Sequence, residues 1–130
     1  MIIMALPVEA LFSVSPLFEG FQAHHVFDYE SHILQNGMYK RRGDLENDPT
    51  HKHPIPYVLI VNPPKAFIYA YQRSSEKKDA HESRLHGKWS WGVGGHVEKL
   101  DTLTRNPIQE SMLREISEEV EMNGSINPKI

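Results

Sequence analysis

Three carboxylates, Glu115, Glu118 and Glu119, stand in the run Arg114-Glu115-Ile116-Ser117-Glu118-Glu119. An α-helix turns about 100° per residue, so with Glu115 at zero, Glu118 falls at about −60° and Glu119 at about +40°. The three share one stripe. Like charges at that spacing destabilise a helix by roughly 0.2–0.5 kcal/mol per pair. A hard divalent cation such as Mg²⁺ would offset the repulsion, because such ions take oxygen ligands. Taken alone, this pattern reads as a solvated acidic helix face. The loop ahead of it, Gly92-Val93-Gly94-Gly95-His96-Val97-Glu98, changes the balance. Trp89, Trp91 and Val93 alternate with smaller residues and read as a strand with one apolar face. The glycines at its end let backbone come close to a ligand or side chain. A glycine-ended strand, a loop and a carboxylate-bearing helix together suggest a metal–phosphate site.

The helix must hold that site. Asn106 is a good N-cap, Pro107 suits the first helical position, and Gln109 completes a capping-box-like pair. Met112, Leu113, Ile116 and Val120 form an apolar stripe that would pack on a sheet. Asn123-Gly124 supplies a stop, so the spacing predicts a helix from Pro107 to about Met122. Arg114 lies about 100° from Glu115 and is better placed to pair with a loop carboxylate than to bind metal.

Upstream, Tyr57-Val58-Leu59-Ile60-Val61 is the clearest strand. Pro63-Pro64-Lys65 is a turn and Phe67 to Arg73 a second strand, so the pair reads as a hairpin. Ser74 to Gly87 reads as an exposed loop. Residues 1–23 suggest a short strand or helix, and His24 to His32 a strand through Val26, Phe27 and Tyr29. Asn36-Gly37 is a turn signal, and Met38 to Thr50 reads as charged loop. His51-Lys52-His53 could put two imidazoles on one side of an extended chain, with a solvated loop the simpler reading.

From Gly95 to Met122 the sequence resembles a Nudix box, the signature G-x5-E-x7-R-E-U-x-E-E-x-G-U, with U aliphatic. Gly95 matches the opening glycine, Arg114 to Glu119 match R-E-U-x-E-E throughout, and Met122 fills the last U. Three positions depart from the pattern. Asp101 replaces the first Glu, twelve residues rather than seven separate Asp101 from Arg114, and Glu121 replaces the late glycine. The five-residue insertion lengthens the connection before the helix and leaves the helix intact. The match is strong over the box and looser from about Pro56.

The resemblance implies an α/β chain with an α/β/α sandwich around a mixed sheet. It implies metal-assisted hydrolysis of a diphosphate linkage in a small nucleotide-like substrate of the nucleoside diphosphate-X type. Glu115, Glu118 and Glu119, with the Gly95 carbonyl, would hold Mg²⁺ (or Mn²⁺). Glu118 or Glu119 would serve as general base, and Arg114 would orient Glu115 or a loop carboxylate, Asp101 or Glu98. His96, Glu98 and Arg73 are the candidates for touching substrate. Two other readings stand beside this one: a Nudix module that binds a nucleotide without cleaving it, and a fragment that works only with a partner. An isopentenyl diphosphate isomerase shares the fold, but its chemistry wants a cysteine and the chain has none.

One domain is expected over residues 1–130. It comprises an N-terminal extension and first strand region (1–54), then the sheet with its loop and helix (55–130). The family fold has later strands and a second helix after the box, and only Asn123 to Ile130 follow here, so a chain cut short on its C-terminal side is expected. Uncovered sheet edges would then invite pairing with a second copy, a homodimer. A net charge of −3 gives no electrostatic reason to expect nucleic-acid polymers as partners. The absence of cysteine rules out disulfides and thiolate metal sites. The apolar start, Met1 to Leu6, is too short for a membrane span and lacks a basic leader, so a cytoplasmic setting is expected.

Overall fold

The computed structural model describes residues 1–74, 85–103 and 106–124. Its most deeply buried element is the first strand, β1 (Ile2–Pro7), in which Ile3, Met4, Ala5 and Leu6 are all buried. Four consecutive buried residues mean that both faces are covered, as in a strand at the middle of a sheet. β2 (Met38–Arg41) and β3 (His51–Lys52) pair antiparallel with its two sides. A bridge joins Ile3 to Glu98, and the Met4 amide donates to the Val97 carbonyl at 2.7 Å. The glycine loop therefore leans directly on the N-terminal strand.

Two regions differ from their sequence patterns. The strand expected over His24 to His32 is a 3₁₀ turn (His24–Val26) followed by a helix; after the short α1 (Val8–Leu11), this is α2 (Tyr29–Asn36). Asp28 starts it, accepting from the Ser31 amide at 3.0 Å and the Ser31 hydroxyl at 2.7 Å. That local cap outweighs the strand preference of Val26, Phe27 and Tyr29, and the rings of Phe12, Phe18 and Phe27 gather on Tyr29. Gly37 ends α2, its amide returning to the Ile33 carbonyl at 2.7 Å. The loop expected over Met38 to Thr50 contains β2 and a helical turn, α3 (Arg42–Leu45). Leu45, packed with Ile3 and Ala5, supplies the apolar anchor that a solvated loop would lack.

The middle of the chain folds as short ladders: β4 (Tyr57–Val58), β5 (Val61–Asn62), β6 (Phe67–Ile68), β7 (Tyr71–Gln72), β8 (Trp89–Ser90) and β9 (Val93–Gly94). The expected hairpin is present as β5–β6, closed by a 3₁₀ turn (Pro63–Lys65) that Asn62 caps. β4 pairs with β9 and β7 with β8. A mixed sheet was expected; every strand pair among the described residues is antiparallel. Parallel pairing needs a crossover that returns the chain in its original direction, and here the stretch from β4 to β9 doubles back on itself. Most of the expected loop, residues 75–84, lies outside the described residues.

The apolar face expected for Trp89, Trp91 and Val93 does not form. Val93 is buried, while Trp89 is 71% and Trp91 64% exposed. The run splits at Trp91-Gly92 into β8 and β9, which pair with different strands, so the period of two is interrupted before it reaches the core.

The long helix, α4 (Pro107–Glu119), packs on β4, β9 and α2. Asn106 caps it, its Oδ1 accepting from the Ile108 and Gln109 amides at 3.1 and 3.2 Å. Gln109 does not close a capping box; its side-chain amide, like that of Asn106, donates to Glu30 on α2, at 3.2 and 2.7 Å. The helix ends at Glu119, three residues short of Met122, because Val120 is already extended. Its buried positions are Ser111, Glu115 and Ile116, while Leu113 is 45% exposed. The inner face is thus rotated from the expected apolar stripe toward the glycine loop. The result is a mixed α/β fold. Among the described residues no helix is long and apolar enough to cross a membrane.

Candidate functional site

α4 and the glycine loop meet at one side chain, Arg114. Its guanidinium forks onto Asp101, Nε to Oδ1 at 3.0 Å and Nη2 to Oδ2 at 3.2 Å. Nη2 also donates to the His96 carbonyl at 2.9 Å. Nη1 reaches Glu115 Oε1 at 2.8 Å and Glu118 Oε2 at 3.3 Å, with Glu98 Oε1 at 3.7 Å. Forked pairs of this kind are the strongest arginine–carboxylate geometry. Asp101 is only 4% exposed, and its Oδ2 also accepts the Glu98 amide at 2.7 Å, which closes the turn after the glycine loop. The hydrogen bond to Asp101 is the main influence pushing the Arg114 pKa above its ordinary value; burial opposes it and Glu115 adds to it. The guanidinium is a permanent cation here.

Gly95 explains why Glu115 can be buried. A Cβ at Gly95 would fall on the Glu115 carboxylate, so the side chain lies against bare backbone. Across the strand, a Cβ at Gly92 would strike the Tyr57 ring, and one at Gly94 would strike the Pro56 carbonyl with the Tyr57 ring close beside it. Successive Cβ directions alternate along a strand, so Gly94 faces Tyr57 and Gly95 faces α4.

The structure thus brings together Gly95, the His96 backbone, Glu98, Asp101, Arg114, Glu115 and Glu118. Glu118 is exposed and touches Arg114 from the rim, and Glu119 is exposed at the end of α4. The His96 ring lies 5.6 Å from that of His53, a neighbour that no sequence spacing announced. Arg73 stands just past β7, with its backbone bonded to Lys88 and Gly87, and belongs with the β7–β8 pair rather than the Arg114 cluster. His51 and His53 part company. His51 Nδ1 meets Asp48 at 2.7 Å and its Nε2 accepts from Lys40 at 2.8 Å, while His53 turns to His96.

No family model matches the chain. Protein YmaB of Bacillus subtilis (strain 168) is 38% identical over 85 residues, which are 64% of this chain and 39% of YmaB. The crystal structure of Tm1382, titled "a putative Nudix hydrolase", matches over 93% of this chain with a TM-score of 0.74 and 29% identity. The chain resembles the Nudix hydrolases in sequence and in fold. It spans 59% of the Tm1382 chain.

Within that Nudix frame the departures from the box can be placed. The lengthened connection from Asp101 to Arg114 includes the end of a 3₁₀ turn (Lys99–Leu103) and the Asn106 cap, and the Asp101–Arg114 contact is kept. Asp101 has one methylene fewer than Glu and still meets the fork with both oxygens. The resemblance implies a divalent metal. Among the described residues, no three aspartates, glutamates or histidines are gathered as a ready metal cage. The donor chemistry nevertheless fits a hard cation. Glu98, Asp101, Glu115 and Glu118 offer only oxygen, and four carboxylates facing one guanidinium leave three formal negative charges.

Proposed function

We propose that the chain is a Nudix-type hydrolase that cleaves the diphosphate linkage of a nucleoside diphosphate-X substrate with Mg²⁺ or Mn²⁺. The observation that carries this reading is the excess of carboxylates around Arg114, pressed against the bare backbone of Gly95. In this reading Glu115, Glu118 and Glu119, with the Gly95 carbonyl, would hold the cation. The bound cation would supply charge neutralisation at the phosphates and a lowered pKa for water.

The chain's own residues set the stage for that step. Asp101 and the His96 carbonyl fix Arg114, and Arg114 fixes Glu115 by one oxygen. Gly95, having no Cβ, leaves room for that carboxylate against its backbone. Glu118, more than half exposed and held only at 3.3 Å, is the carboxylate freest to take a proton from water. Glu119 is the second candidate base. The His96 ring, Glu98 and Arg73 remain the proposed substrate contacts.

The test is product release from a panel of nucleoside triphosphates, ADP-ribose, NADH, dinucleoside polyphosphates and CoA, with and without Mg²⁺ or Mn²⁺. Metal-dependent turnover by the parent that falls roughly 10²-fold or more in Glu118→Gln supports the proposal. Turnover unchanged by that substitution removes Glu118 from the role. One observation favours a second reading, a nucleotide-binding module without hydrolysis. Arg114 already engages Glu115 and Glu118, the carboxylates a cation would need. Ligand binding without product release, in a folded chain that binds Mg²⁺, would select it.

A further inference from the structure

The side of the strands turned away from α4 is apolar and open. Val61 and Ile68 stand opposite each other beside the hairpin turn. Every second residue from there faces the same way, Leu59 and Tyr57 on one strand and Ala70 on the other. Tyr57 and Ala70 in turn line a recess of about 270 Å³ with Trp89, Ser90 and Trp91. Exposure follows the alternation. Tyr57, Leu59 and Val61 are exposed, while Val58 and Ile60 between them are half-buried. We propose that this face is the interface of a two-fold dimer, occupied by a second copy of the chain.

A face that meets its own copy about a two-fold axis brings like charges together, which is costly. From Pro54 to Gln72 the sequence carries one charged residue, Lys65, and it sits in the turn (Pro63–Lys65) rather than on a strand. The face therefore offers its copy nothing to repel, and a charged partner little to pair with.

Tyr57, Leu59, Val61, Ile68, Trp89 and Trp91 are between 43% and 71% exposed. At roughly 150–250 Å² for a whole aromatic side chain and about 60–120 Å² for an aliphatic one, these six leave about 400–600 Å² of apolar surface open. A stable homodimer buries about 800 Å² per partner, about 65% of it apolar, which is roughly 520 Å². The six side chains supply that area by themselves.

The face is aliphatic at its hairpin end and hollow at its tryptophan end. A two-fold axis near its middle, at Leu59, lays each hairpin end over the recess of the other copy. A cavity of about 150 Å³ accepts benzene, so a recess of about 270 Å³ has room for the Val61 and Ile68 side chains. Such a contact closes on itself. It leaves the Arg114 cluster uncovered, on the other side of β9.

Sedimentation velocity over a concentration series, read beside tryptophan emission, is the test. Both tryptophans of the chain lie in the recess, so emission reports on this face. The mass should rise from 15.0 kDa to twice that value and stop, with emission moving to shorter wavelength over the same concentrations. Val61→Lys buries a charge twice in each dimer and should raise the dimer Kd roughly 100-fold or more. Trp91→Ser should raise it roughly 30-fold, the mark of an interface hot spot, and should match the parent in samples dilute enough to be monomeric. Phe67→Lys is the control. Phe67 is 68% exposed, like the tryptophans, but alternates to the opposite face from Ile68, so its variant should dimerise as the parent does. Circular dichroism checks each fold, and Trp91→Ser carries the test if Val61→Lys does not fold. A monomer at every concentration would overturn the proposal. So would a dimer that Trp91→Ser leaves intact, which would place the interface elsewhere, or a mass that climbs without limit, which would mean open-ended association. Short-wavelength emission from the monomer would overturn it too, because the chain would then cover the face itself.

Discussion

The Arg114 cluster and the tryptophan ladder lie on opposite sides of the same strand, β9, and are built on opposite principles. Around Arg114, charged groups are drawn inward, where the guanidinium meets carboxylates and a backbone carbonyl. On the other side, large apolar rings are left outward on ladders only two residues long. Burial of charge is expensive unless it is paired, so the first region tolerates few changes. Exposed rings lose little when replaced, so the second is free to serve a partner. The pattern to expect is that damage to stability concentrates on one side of β9.

Arg114→Ala is the hardest test of that contrast. It strips the partner from Asp101 and Glu115, both buried, and breaking a buried pair in this way costs about 3–5 kcal/mol. The expected outcome is a chain that unfolds at much lower urea concentration than the parent, or does not fold at all. Arg114→Lys keeps the charge and loses the fork, so it should fall between the two. A parent-like urea midpoint for Arg114→Ala would show that the cluster does not support the fold.

Gly95→Ala comes next. The added methyl lands on the Glu115 carboxylate, which must swing away from Arg114. Overpacking of that size costs roughly 1–3 kcal/mol, and any metal-dependent turnover should fall with it. Smaller still is a pH effect at the β3 end. Hydrogen bonds from the Thr50 hydroxyl and amide, and then from His51, hold the Asp48 carboxyl below its ordinary range. A depressed carboxyl contributes stability that is fully present above the ordinary value of about 3.9 and is lost as pH falls through the lower folded value. Melting temperature should therefore drop more steeply below about pH 4 in the parent than in Asp48→Asn.

The two sides of β9 also differ in how well the sequence announced them. The Asn106 cap, the Pro107 start and the helical stripe of Glu115 and Glu118 follow from local spacing, which is short-range physics. The pairing of Arg114 with a loop carboxylate was legible as chemistry, because an arginine off the metal stripe needs an anion. What was not legible depends on distant parts of the chain. Glu30 holds the start of α4 from 76 residues away, and β1 supports the glycine loop from the far end of the sequence. The exposure of the tryptophans has the same origin. Alternation predicts a buried face only when something packs on it; α4 packs on β9, whereas Trp89 on β8 is left 71% exposed.

The gentlest prediction tests the open side. Trp91→Ser removes a ring that is 64% exposed, and surface substitutions away from caps and buried pairs stay within about 0.5 kcal/mol. In samples dilute enough to be monomeric, thermal unfolding of Trp91→Ser should then nearly overlay the parent, while Arg114→Ala does not. Tyr57→Ser is the sharper companion, because the Tyr57 ring lies against both Gly92 and Gly94 and is only half exposed. Its loss should cost more than that of Trp91, since it unpacks the two glycines that bring β4 onto β9. If Trp91→Ser proves as damaging as Tyr57→Ser, the tryptophan belongs to the packed structure in solution, and the division of β9 into a closed side and an open side fails.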